Sequence, residues 1–340
     1  MKKLYYEDKF CRFNEYRSLK AQKKRESKNK NKKHKRGSLV NTKNEKSKKT
    51  KQNNYFAKQI LIVNAPENFS IINNREEFMD FLQRFDIQAW HGKPVRIDLS
   101  NVKTITPDAL LCMIAYLTRY NLNKKLPHIT GNSPEDPHCK QIFRESGFYK
   151  YVISDFKHQD TENVLSIRSD VIVNPVEAAA VIQFVRNKLG ITQKKITKSV
   201  FTTIMESMNN VQEHAYGTRV NQGWWLMALP ENNADSDIIH FSLVDNGKSI
   251  PETIRKRWTE RITTNDGDLI RAAVLENRSE TRLYYRGNGL PKLKTLVDNQ
   301  MIKNLYIISK KGCYFVDEDE TYTMKREYFG TIITWDFIRR

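Results

Sequence analysis

No apolar run in the sequence approaches the roughly 18–20 residues that a membrane-spanning helix needs. Nor does an apolar stretch of about 7–15 residues follow the basic start, so no secretory signal is expected. The four cysteines, Cys11, Cys112, Cys139 and Cys313, lie far apart and form no CxxC pair. Their spacing argues against a disulfide framework or a structural zinc site and leaves a cytoplasmic chain with reduced thiols as the expectation. Internal repeats are missing, and residues 20–54 hold almost no apolar side chain. Such a segment has nothing to bury, repels itself, and is expected to be disordered.

What the chain does have is an uneven charge. The 340 residues carry a formal +19, but the first 54 hold 20 of the 58 Lys and Arg and 5 of the 39 Asp and Glu, a net +15. The other 286 residues are nearly neutral, which excludes a reading of the whole protein as a basic nucleic-acid-binding fold. The leader, 1–54, admits three readings. It could be a solubilising tail, or a nucleic-acid contact that works by displacing condensed counterions. Alternatively, Tyr5, Tyr6, Phe10, Phe13 and Tyr16 could form a short docking helix.

Residues 55–156 alternate strands and helices: QILIVNAP, then the amphipathic REEFMDFLQRFDIQAW, PVRIDLS, PDALLCMIAYLTRY, LPHITG and DPHCKQIFRESG. This rhythm predicts an α/β layer. A polar linker is expected over 157–172. Residues 173–340 follow a different rhythm. Two helices, about 176–189 and 194–215, precede strands in QGWWLMALP and DIIHFSLVDNG. An irregular charged segment comes next at 259–286, then the helix GLPKLKTLVDN and strands in NLYIISKKG, TYTMKRE and GTIITWDFI. That order predicts an α+β sandwich with helices on a mixed, mostly antiparallel sheet.

Four short motifs fall within this second half. On its long helix, Glu206 and Asn210 are one turn apart and share a face, while Val200, Ile204, Met208 and Val211 form the apolar stripe. A carboxylate beside an amide oxygen suits Mg2+ held with substrate phosphates, because that ion keeps waters and takes few protein ligands. Asp245-Asn246-Gly247 ends a buried strand. It reads either as a carboxylate that accepts from an exocyclic amine or as an ordinary turn. Arg286-Gly287-Asn288-Gly289-Leu290 precedes a helix, where free N–H groups and the helix dipole favour phosphate. Gly330-Thr331 opens the last apolar strand. Each motif alone is unspecific.

In this order and spacing they resemble the GHKL superfamily of ATPases, to which gyrase, MutL and histidine kinases belong. The stretch ESMNNVQEHAY is closest to the anti-sigma-factor serine kinase branch. The resemblance covers about 170–340 and implies ATP and Mg2+ as cofactors. It implies that Asn210 ligates Mg2+ and that Glu206 polarises the attacking water or hydroxyl. Asp245 would bond the adenine amino group with help from Thr331, and Gly247 would let adenine pack close. Gly287, Gly289 and Leu290 would form the phosphate loop, and 259–286 the lid. Ser249 departs from the pattern, which usually has a second glycine there. His214 could orient the glutamate–asparagine pair or simply pack at the helix end. Arg255, Lys256 and Lys292 lie near the glycine motifs, where a solvated surface role is the alternative to a phosphate contact.

The first half, over about 57–155, resembles the STAS domain of anti-sigma antagonists through VRIDLSNVKTITPDALL. Asp108 stands at the position of the phosphorylatable serine, so serine phosphorylation there is impossible. Asp108 either mimics a phosphoserine or caps its helix.

These resemblances leave three functions: an ATPase acting as a nucleotide-dependent regulatory switch, a serine/threonine kinase acting on a separate antagonist protein, or a non-catalytic nucleotide-binding adaptor. The expected partners are ATP, a protein docked on the STAS-like half and, in the tail reading above, nucleic acid. No membrane partner is expected, and a homodimer is compatible.

Overall fold

Helix PDALLCMIAYLTRY is apolar on nearly every side, and a helix of that kind must be covered all round. The computed structural model places it in the middle of the molecule. The structure describes residues 60–90, 94–122, 129–153, 155–191, 194–212, 223–231, 237–257, 264–275 and 289–339. The basic leader therefore lies outside the described residues.

Strands β1 (Leu61–Asn64), β3 (Val95–Asp98) and β5 (Ile129–Gly131) form a parallel sheet in the order β1-β3-β5. Two short strands, β2 (Asn68–Phe69) and β4 (Thr104–Ile105), pair beside it. The crossovers are α1 (Arg75–Trp90) and α2 (Pro107–Leu122), followed after β5 by α3 (Pro137–Glu145) and the single turn α4 (Tyr149–Val152). Asp136 caps α3 by accepting from the Cys139 N–H at 2.8 Å.

The second sheet has five strands: β6 (Leu165–Asp170), β7 (Trp224–Pro230), β8 (Ile238–Asp245), β9 (Lys303–Phe315) and β10 (Glu320–Ile338). Their order is β6-β7-β8-β10-β9, and every pairing is antiparallel. Helices α5 (Pro175–Leu189), α6 (Lys194–Asn210), α7 (Ile250–Arg257), α8 (Asp266–Leu275) and α9 (Gly289–Asp298) complete the chain. Asn174 caps α5 ahead of Pro175, and Gly190 ends it at φ 60°. On α6, Thr203 and Ser207 donate to the carbonyls of Ser199 and Thr203 at 2.9 and 2.8 Å, so these buried hydroxyls are satisfied within the helix.

Each face of the five-stranded sheet has its own core. Val181 and Val185 of α5, Ile204 and Met208 of α6, and Leu290 and Leu293 of α9 pack with Phe241, Leu243, Ile333 and Trp335 on one face. On the other, Leu110 to Leu117 of α2 share a cluster with Trp225, Met227, Val244 and Ile332. Helix α1 lies on β10 as well as on β1 and β3. The two helices of the first half thus fill the space between the two sheets, and Gln59–Arg340 forms one compact unit.

Several local expectations change. The stretch read as a linker, 157–172, contains β6, an edge strand whose Ser166 and Arg168 bond to Asp160 at 2.5 and 2.7 Å. The segment read as irregular contains α8, and the rest of 259–286 lies outside the described residues apart from 264–265. The two strands expected near TYTMKRE and GTIITWDFI are one strand, β10, with register shifts between Thr323 and Tyr328 and between Tyr328 and Thr331. Among the described residues, no helix is long and apolar enough to cross a membrane.

Candidate functional site

Asp245 is the last residue of β8 and is 3% exposed. It follows Phe241 and Leu243 at strand spacing, so it belongs to the sheet face covered by α5, α6 and α9. Burial pushes its carboxyl up to about 7. The Gly247 N–H, 2.6 Å from Oδ1, opposes that shift and is its one donor among the described residues. Asp245 is therefore a buried acceptor with hydrogen-bonding capacity to spare.

Thr331 stands directly opposite on β10 and is also buried. The neighbouring Ser309 of β9 ties this corner together. Its Oγ donates to the Gly330 carbonyl at 2.7 Å, lies 3.1 Å from Thr331 Oγ1, and accepts from Ile250 N–H at 3.0 Å. Gly330 has φ +117°, and a Cβ there would sit 2.0 Å from the Asp245 carbonyl oxygen. The glycine is required for the close approach of β10 to the end of β8.

Glu206 and Asn210 lie on one face of α6, as their spacing predicts. The Glu206 side chain is 14% exposed and forms an ion pair with Lys292 on α9. Asn210 Nδ2 is buried without a hydrogen-bond partner among the described residues. Gly289, the first residue of α9, lies against Asn210, and a Cβ on it would stand 2.9 Å from Asn210 Oδ1. The glycine motif before α9 and the glutamate–asparagine pair of α6 therefore meet. Leu290 is buried in the same core as Ile204 and Met208.

Gly287, His214 and the side chain of Lys256 lie outside the described residues. Arg255 is committed elsewhere: it bonds Asp266 at 2.6 Å and the Thr264 carbonyl at 2.7 Å, which fixes α7 to the start of α8. Ser249 Oγ accepts from Glu252 N–H at 3.2 Å at the start of α7. The hydroxyl thus has a local structural use at the position where the resemblance expects a glycine. Asp108 is 2% exposed, its Oδ2 accepts from Ile71 N–H at 2.7 Å, and burial raises its pKa.

Two contacts were not singled out from the sequence. Ser309 is a small polar residue at the end of the apolar run NLYII, and that position is the signal that could have marked it. The Lys292–Glu206 pair joins residues 86 positions apart and leaves no local signal. Among the described residues, no group of three or more His, Cys, Asp or Glu side chains could hold a metal ion. No protein-family model matches the chain, and no curated protein matches it.

Proposed function

We propose that the second half binds Mg·ATP in the manner of the GHKL ATPases and acts as a nucleotide-dependent regulatory switch, with the STAS-like half as its protein-docking module. The observation that carries this reading is that two pairs, Asp245 with Thr331 and Asn210 with Gly289, come together on one helix-covered side of one sheet. The adenine amino group would donate to the Asp245 oxygen left unused by Gly247. Thr331, held by Ser309, would complete that contact.

The phosphates would lie at the start of α9, where the first backbone N–H groups of the helix have no intrahelical acceptor. Asn210 would hold Mg2+ through Oδ1, and the amide fits the role because it lies against the start of α9, so close that a side chain on Gly289 would strike it, with its Nδ2 left unpaired among the described residues. The ion would neutralise phosphate charge and orient the terminal phosphoryl group. Glu206 would accept a proton from the attacking water or hydroxyl. Its pairing with Lys292 implies that this lysine must shift before the carboxylate can serve as a base.

Incubation of the full chain with Mg2+ and γ-labelled ATP, beside Glu206→Ala and Asn210→Ala, tests the reading. Phosphate release by wild type, lost in both variants, is the expected result. Transfer of label to an added antagonist protein would make the protein a kinase instead. Nucleotide binding without either reaction would make it an adaptor.

A further inference from the structure

The end of β8 and the middle of β10, which carry the proposed adenine contacts, are gripped from behind by one helix. Asn246, the residue after Asp245, is buried on the opposite side of the sheet, and its Nδ2 donates to the Ala115 carbonyl of α2 at 2.5 Å. That carbonyl lies mid-helix, so the bond uses the lone pair left over from the helix ladder. On β10, the buried Tyr328 ring is 6.0 Å from that of Tyr116, and the Arg119 guanidinium lies 4.5 Å over the Phe329 ring. Gly330 and Thr331 follow at once. Ala115 and Arg119 are one turn apart, with Tyr116 beside Ala115, so a single stripe of α2 holds β8 and β10 immediately next to Asp245 and Thr331.

One of the register shifts between β9 and β10 falls between Tyr328 and Thr331, so the ladder is irregular just where α2 grips β10. The opposite end of α2 is fixed in the first half by the Asp108–Ile71 bond, and its remaining surface is buried in the core that includes β3.

From this geometry we infer that α2 couples the first half to the nucleotide site, with Asn246 as the positioning residue that ties the end of β8 to it. The inference rests on the ATP reading above and extends it. A load on the strand–helix half moves α2, and α2 moves Asp245 relative to Thr331. Linkage makes the effect reciprocal, so nucleotide must also alter α2.

The test uses the full chain with Mg·ADP as the probe. Hydrogen exchange of the α2 amides is followed with and without ADP, and ADP affinity is measured for wild type, Asn246→Ala, Asn246→Ser and Arg119→Ala. Neither side chain is assigned a nucleotide contact. ADP should slow exchange in α2, and Asn246→Ala and Arg119→Ala should each weaken ADP roughly tenfold, the factor that one lost hydrogen bond or cation–π contact is worth. Asn246→Ser, which keeps a donor, should lie closer to wild type, a graded response that simple loss of stability would not give. If wild type binds ADP but α2 exchange is unchanged and the variants stay within about twofold of wild type, the coupling is refuted while the ATP site stands. If folded wild type does not bind ADP, the site reading fails and the coupling fails with it.

Discussion

Replacing Asp245 by Asn removes a charge that the fold holds at a disadvantage, and the size of the effect follows from the raised pKa. The carboxyl moves from 3.8 to about 7 because burial disfavours its ionised form. Below about pH 4 it is protonated in both folded and unfolded chains and contributes no difference. Between about pH 4 and 7 the unfolded chain releases the proton and the folded chain keeps it, so wild-type stability declines as pH rises. Above pH 7 the folded chain bears the full penalty.

At about 1.4 kcal/mol per unit over roughly three units, Asp245→Asn should be stabilising by roughly 4 kcal/mol more at pH 8 than at pH 4. The neutral amide can still accept from the Gly247 N–H, so the local turn is kept. Urea unfolding of nucleotide-free protein at four or five pH values, analysed as the variant-minus-wild-type difference, measures this directly and cancels the other titrating groups. A difference that does not change with pH, or a variant less stable than wild type at pH 8, would refute the buried-charge argument. In the proposed site the same substitution removes the charged acceptor for the adenine amine, so ADP binding should fall as stability rises.

Other consequences follow from the close approaches. Gly330→Ala forces a side chain into φ +117° and against the Asp245 carbonyl, and should lower unfolding free energy by at least ~3 kcal/mol in urea denaturation. At Gly289→Ala the nearest atoms to the new Cβ belong to the terminal amide of the Asn210 side chain. The substitution should change stability by less than ~1 kcal/mol yet weaken Mg·ADP roughly tenfold in a calorimetric titration, because the amide is displaced. Deletion of residues 1–54 should leave ADP affinity unchanged and abolish any salt-sensitive retention on DNA or RNA columns. Retention that survives the deletion would place that binding elsewhere.

The long elements were legible because their apolar spacing is unambiguous. REEFMDFLQRFDIQAW is α1 residue for residue, and Val200, Ile204 and Met208 are on the buried face of α6, with Val211 buried just past its end. Helix α8 was not legible because it begins Asn265-Asp266-Gly267-Asp268, which reads as a turn. In the fold Asn265 caps the helix by accepting from Asp268 N–H at 2.9 Å, and Asp266 takes Arg255. Strand β6 is short and polar, and its hydrogen-bonding partner β7 is more than fifty residues away, so only tertiary pairing identifies it. The break in β10 was read as two strands because a bulge and a glycine interrupt the alternation.

At the site, the one-turn spacing of Glu206 and Asn210 and the strand-end position of Asp245 were visible locally. That Gly289 abuts Asn210 depends on how α9 packs on α6, and that Thr331 faces Asp245 depends on the β8–β10 register. The all-round apolar character of α2 did hold the signal for its central position, since eight consecutive buried residues from Leu110 to Leu117 cannot be covered by one sheet alone.

The most direct measurement is a calorimetric titration of Mg·ADP into the full chain, with Asn210→Ala and Asp245→Ala measured alongside. The account predicts saturable one-to-one binding by wild type that both substitutions weaken by at least about tenfold while the variants remain folded. Absence of binding to folded wild type, or binding that both substitutions leave unchanged, would contradict it.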